Sequence, residues 1–194
     1  MREYGVAELD SLLTAVRDSL SSPSPARERG PGGEGPGEGT LYLVASTSHL
    51  AEGWRERVPR FELGADPGSP LEAVVRESAR ALGFPLVWET PAAVIPLPSG
   101  WEARARPAAR FAALHLPVRH FDPYSVVLRL VARGDEPDYQ AALAYLRHGW
   151  VELVRLETLL GELLPRFTSA TLAQDPAEFR RKFRGLRQLR ASVA

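Results

Sequence analysis

At 194 residues with 44% hydrophobic content, the chain can bury one core and is too short for several, so we expect a single compact domain with helical extensions. Cysteine is absent, which excludes disulfides, a thiolate nucleophile and any Cys-ligated metal or iron–sulfur site. The formal charge is zero but uneven: residues 1–174 hold 18 basic and 22 acidic side chains and residues 175–194 hold six and two, so a body of −4 carries a tail of +4.

In chain order, "VAELDSLLTAVRDSL" spaces Val6, Leu9, Leu12, Leu13, Val16 and Leu20 as one helical stripe. Residues 22–39 are Pro/Gly-rich with almost no apolar side chains to offset the entropy of ordering, which predicts a mobile loop. "LYLVA" then reads as a strand and "STSHLAEGW" as a turn into a helix, with a second strand near Phe61–Leu63. Ser69-Pro70-Leu71-Glu72 has the form of a capping box, opening a helix that runs to Gly83 with Leu71, Val74, Val75, Ser78 and Leu82 inward. "PLVWE", "AAVIPL" and "FAALHLPV" are further strand candidates, completing a mixed sheet of four or five strands.

From Asp122 the periodicity becomes helical. Asp122-Pro123 starts one helix and Asp135 to Pro137 another, which Gly149 ends as a left-handed cap; "VELVRLETLLGELL" makes a third, stopped by Pro165. The last helix opens at Asp175-Pro176-Ala177-Glu178 and places Phe179, Phe183, Leu186 and Val193 on one side. The expected fold is therefore α+β, with an α+β core over 1–120 and a helical C-terminal part over 121–194.

Several chemistries lack local support. "GPGGEG" at 30–35 matches a dinucleotide-loop pattern only formally, because it precedes a strand instead of following one. Lys182, the only lysine, is followed by Phe183, so there is no phosphate-binding Walker loop. No H-E-x-x-H or G-x-S-x-G pattern occurs, and His49, His115, His120 and His148 lack ligand-like spacing. Trp54, Trp88, Trp101 and Trp150 sit beside apolar runs or helix ends, where packing is their expected role. No apolar run reaches membrane-span length and the N-terminus lacks a signal-peptide core, so we expect a soluble cytoplasmic protein without a membrane partner.

Three segments carry a resemblance: the strand leading into "VASTSHLAEG", "PLPSGWEARA" at 96–105, and "DPYSVVLRLVARGDEPDYQAALAYL". Together they span roughly residues 40–150 and resemble bacterial nucleotidyltransferase-like proteins, a group related to the nucleotidyltransferase toxins of type IV toxin–antitoxin pairs. The resemblance implies a Gly-Gly turn facing a triphosphate and two carboxylates on one strand face bridging magnesium.

This chain departs from both. The glycine turn falls on Ala45 and Ser46, leaving Ser46 and Thr47 as the hydroxyl groups that would meet a nucleotide; the ordinary role of Ser46, Thr47 and Ser48 is helix capping. The acidic pair falls on Arg60 and Glu62, so a cation replaces one carboxylate, and Asp66 lies past Gly64. A later-strand carboxylate has no candidate; His115 is the polar residue at that strand's centre and reads as a sheet residue. The family's helix-pair lysine falls on Arg129 and one late acid on Asp138, which we expect to meet as an ion pair.

These departures imply a degenerate nucleotidyltransferase-like protein that binds nucleic acid or a protein partner. The alternative is an active transferase moving a nucleotide from an NTP to an RNA or protein acceptor, with Mg²⁺ and NTP as cofactors and Glu62 and Asp66 as improvised metal ligands. For RNA or DNA the candidate contacts are Arg180, Arg181, Lys182, Arg184 and Arg187; the plainer role of this face is a solvated surface on a docked helix.

Overall fold

The computed structural model describes residues 2–21, 39–90, 95–167 and 175–193. Residues 22–38 of the loop expected over 22–39, residues 92–94 of "AAVIPL" and the side chain of Val193 lie outside the described residues. The chain divides into two compact units, residues 1–91 with 107–120, and residues 92–106 with 121–194.

The first unit is built on a five-stranded mixed sheet, so the α+β expectation holds. Its strands are β1 (Leu41–Leu43), β2 (Phe61–Ala65), β3 (Leu86–Trp88), β4 (Arg106–Pro107, on the unit boundary) and β5 (Val118–His120), in the order β3-β2-β1-β5-β4. β1 runs antiparallel to β2 and parallel to β5, while β2 and β3 are parallel. Alternation sends Leu41, Leu43, Phe61, Leu63, Ala65 and Val118 into one core with Leu9, Leu12, Leu13 and Val16 of α1 (Val6–Ser21) and with Leu71, Val75 and Ala79 of α3 (Leu71–Leu82). Ala79 takes the inward place expected of Leu82, which is exposed. The capping box before α3 does not close; Ser69 Oγ instead accepts from Leu71 N at 3.3 Å.

Two strand expectations are corrected. Residues 109–114 form a 3₁₀ turn anchored by buried Phe111, and β5 begins only after Pro117, whose ring removes a ladder donor. His115 sits at the end of that turn with φ +51 and is exposed, so it is no sheet residue. Ile95–Leu97 is not a strand either: Ile95 is buried, and prolines at 96 and 98 bar a ladder.

The second unit is helical. Its helices are α4 (Trp101–Arg104), α5 (Pro123–Arg133), α6 (Glu136–Arg147), α7 (Leu153–Leu163) and α8 (Pro176–Val193). α5 is buried from Ser125 to Ala132 and is contacted by α4, α6, α7 and α8, as a helix apolar on nearly all sides must be. α8 packs on α5 and α6 through Phe179, Phe183 and Leu186, the stripe read from the sequence. Among the described residues no helix is long and apolar enough to cross a membrane.

Candidate functional site

The face of the sheet opposite the core carries the polar residues of β1, β2 and β5. Pairing places Tyr42 beside both Gly64 and Arg119, with Glu62 two residues along β2 and Asp66 just past its end. Gly64 has a steric reason: a Cβ there would lie 2.6 Å from the Glu89 carbonyl oxygen, too close for any side chain.

The β1-to-helix turn, on Ala45 and Ser46, is strained. Ala45, the first residue of α2 (Ala45–Ala51), has φ +42, a left-handed conformation that glycine adopts freely and alanine adopts at a cost. The residue before it, Val44, provides no side-chain cap, and α2 is capped from across the sheet instead. Glu62 Oε2 accepts from Ser46 N at 2.9 Å and from Ser46 Oγ at 2.7 Å, satisfying one of the helix's orphan amides with a negative charge. The backbone of residue 62 is tied to the same turn, its N–H donating to Thr47 Oγ1 at 2.6 Å and its carbonyl accepting from Val44 N at 3.0 Å.

The structure thus brings Ser46, Thr47 and Glu62 together, as a self-contained knot. None of the three hydroxyls caps α2 as expected: Ser46 serves Glu62, Thr47 accepts from the residue 62 amide, and Ser48 donates to the Leu43 carbonyl at 2.9 Å. The other carboxylate oxygen of Glu62 faces Arg60, whose Nη2 is 3.9 Å away; Arg60 is half exposed, whereas the Glu62 side chain is almost wholly buried.

Asp66 does not join this cluster. Four residues along an extended chain at about 3.3 Å each separate it from Glu62 by roughly 13 Å, and its oxygens have their own donors. Thr40 N donates to Oδ2 and Tyr42 OH to Oδ1, each at 2.8 Å. Magnesium does not fit these residues: Glu62 offers oxygens already held by Ser46 and faced by a guanidinium, and Asp66 is too distant to share an ion. Among the described residues no three His, Asp or Glu side chains converge as metal ligands.

Tyr42 and Arg119 are the members of this face that motif reading missed, although the alternation of Leu41-Tyr42-Leu43 and Val118-Arg119-His120 marks both as pointing away from the core. Burial, and then the hydrogen bond to Asp66, push the Tyr42 hydroxyl from its ordinary value near 10 up to about 12. The fold favours the neutral phenol, so this contribution to stability is complete below pH 10 and disappears as pH rises through 12. In a spectrophotometric titration, Tyr42→Phe should remove the ionisation near pH 12; its survival in the variant would assign it to another tyrosine.

In the second unit, Arg129 is buried in α5. Asp138 pairs with Arg133, at 2.7 Å to Nη2 and 3.1 Å to Nε, and not with Arg129 as expected. Arg133 ends α5 next to the α6 turn, a full helical turn nearer to Asp138 in the chain. Lys182 is also reassigned. Its Nζ donates to the carbonyls of Ala132 and Arg133, at 2.7 and 3.0 Å, and lies 3.2 Å from Glu178. It caps the end of α5 over Gly134, where a Cβ would come within 2.8 Å of the Lys182 chain.

The remaining cations of α8 face outward. Arg180, Arg181, Arg184, Arg187 and Arg190 are exposed; Arg187 Nε is 3.1 Å from Glu157, and Arg181 is loosely paired at 3.8 Å with Glu178. Arg180, Arg184 and Arg190 have no acidic partner among the described residues. No protein-family model, curated protein or solved structure matches the chain.

Proposed function

We propose that this chain is a degenerate nucleotidyltransferase-like protein of the cytoplasm that has lost metal-dependent transfer and works by binding nucleic acid through the arginine face of α8. The loss of transfer rests on one observation: the Glu62 carboxylate is spent on the amide and hydroxyl of Ser46, at the turn that would have to receive phosphate. A phosphate and a buried carboxylate compete for the same donors, and the carboxylate is covalently present. Arg60 at 3.9 Å adds a positive charge where a divalent cation would have to sit.

Binding is supported by the arginines of α8, which are held on a helix whose inner side is fixed by Phe179, Phe183, Leu186 and Lys182 and whose outer side is left to solvent. A preorganised row of guanidinium groups suits phosphate, because each offers a planar fork of donors.

Two experiments test the two halves. Incubating the full chain with labelled nucleoside triphosphates, Mg²⁺ or Mn²⁺ and cell extract should label no acceptor; labelling abolished by Glu62→Ala would restore the transferase. Nucleic-acid binding at low salt should fall at least about tenfold in Arg180→Ala/Arg181→Ala/Arg184→Ala, since each lost phosphate contact weakens association and flattens its salt dependence. An unchanged affinity would remove α8 from the site.

A further inference from the structure

We infer that the α8 surface takes the phosphate backbone of a double-stranded nucleic acid, without reading its sequence. This rests on the nucleic-acid reading above and narrows it to a ligand class. α8 has 18 residues and at about 1.5 Å per residue is roughly 27 Å long. Arg180, Arg184 and Arg187 follow one another at i, i+4 and i+7 and therefore share a stripe, with Arg181 to one side and Arg190 to the other.

What the surface lacks among its described residues is as informative as what it has. Both aromatic residues of α8, Phe179 and Phe183, are buried in the helical unit, 0% and 4% exposed. Proteins that hold single strands lean on exposed aromatic rings under the bases, a contribution of about 1–3 kcal/mol per base that this helix cannot supply. Base edges are read by amides and by bidentate side chains inside a groove. Gln188 is the single exposed amide of α8, and the inner half of the helix is held against α5 and α6, so the helix cannot sink into a groove whole. A row of cations held outside a groove, with no rings to stack on bases, recognises charge spacing, and a duplex presents that spacing rigidly.

The number of contacts can be bounded. Arg180, Arg184 and Arg190 are free of carboxylates among the described residues and Arg181 is loosely held, whereas Lys182 is turned inward and Arg187 is engaged by Glu157. Three to four phosphates neutralised give a log–log salt slope of about −3 on a duplex.

Fluorescence anisotropy of the full chain with two unrelated duplexes, each made as DNA and as RNA, and with their separated strands tests the inference. The expected result is duplex binding at least about tenfold tighter than to either strand, the two sequences within about twofold of each other, and a slope of about −3. Arg180→Ala/Arg184→Ala/Arg190→Ala, with its fold checked by circular dichroism, should bring the slope below about −1 in magnitude. DNA and RNA duplexes bound alike, or one above the other, both support a backbone ligand and differ only in naming its source. Single strands bound as tightly as duplexes, or a sequence preference above about tenfold, would overturn the inference while leaving nucleic-acid binding intact. No binding of any form at low salt would sink the functional reading itself.

Discussion

Asp122→Ala is expected to destabilise the helical unit by about 3–5 kcal/mol, because it leaves a largely buried guanidinium without its counter-charge. Asp122 is wholly buried and begins α5, accepting from Tyr124 N at 3.2 Å and from Ser125 N at 3.3 Å and Oγ at 2.7 Å. Arg104 donates to both of its carboxylate oxygens, Nε to Oδ1 at 3.0 Å and Nη2 to Oδ2 at 2.8 Å, and also reaches the Ser99 carbonyl with Nη1. The alanine therefore removes a helix cap and a bidentate partner together, and its cost exceeds the ~1 kcal/mol of a typical cap. Asp122→Asn keeps an acceptor for the α5 amides and should cost less than half as much. Urea denaturation followed by helix circular dichroism measures both; an Asp122→Ala loss under about 1 kcal/mol would mean that Arg104 is held mainly by Ser99 and solvent.

That ion pair explains the segment "PLPSGWEARA", which carried a resemblance in the sequence but no assignable role. Gly100 takes φ +70, α4 turns once, Trp101 packs on Phe121 with ring centroids 4.9 Å apart and planes tilted by 37°, and Arg104 is delivered to Asp122. The local grammar was readable: proline and glycine punctuate, and Asp122-Pro123 starts a helix by its own chemistry. The partner was not, because an ion pair spanning 18 residues depends on where the chain returns. The same limit separates right from wrong elsewhere. The apolar stripes of α1 and α8 follow from 3.6-residue spacing alone: α1 buries Leu9, Leu12, Leu13 and Val16 with Val6 and Leu20 partly covered, and α8 buries Phe179, Phe183 and Leu186. "FAALHLPV" has an equally apolar sequence but no periodicity to decide between strand and turn, and Pro117 delays β5 to the residue after it. Lys182 misleads in another way. In a row of arginines it reads as one more cation, and only the fold shows an ammonium small enough to sit over Gly134 against two carbonyls. Its being the chain's only lysine was the one signal available.

Glu62→Ala is expected to cost about 3 kcal/mol, and the pattern of that loss decides what holds the candidate site shut. Two donors bind the carboxylate, Ser46 N and Ser46 Oγ, and hydrogen bonds to a charged acceptor contribute about 1.5–3 kcal/mol each. Arg60 is the competing explanation. At 3.9 Å and half exposed it makes a surface pair of the kind that contributes at most about 1 kcal/mol. Arg60→Ala should therefore change stability by less than about 0.5 kcal/mol, whereas Glu62→Ala and Ser46→Ala should show a coupling of about 1–2 kcal/mol in a double-mutant cycle. Glu62→Gln retains an acceptor oxygen for Ser46 and should lose only about 1 kcal/mol. If Arg60→Ala proves as damaging as Glu62→Ala, and the cycle with Ser46 shows no coupling, then the carboxylate is held by the guanidinium and the Ser46 donors are free. That result would reopen the turn to phosphate and overturn the proposed loss of transfer chemistry, because the whole case for a closed site lies in which cation or amide Glu62 answers to.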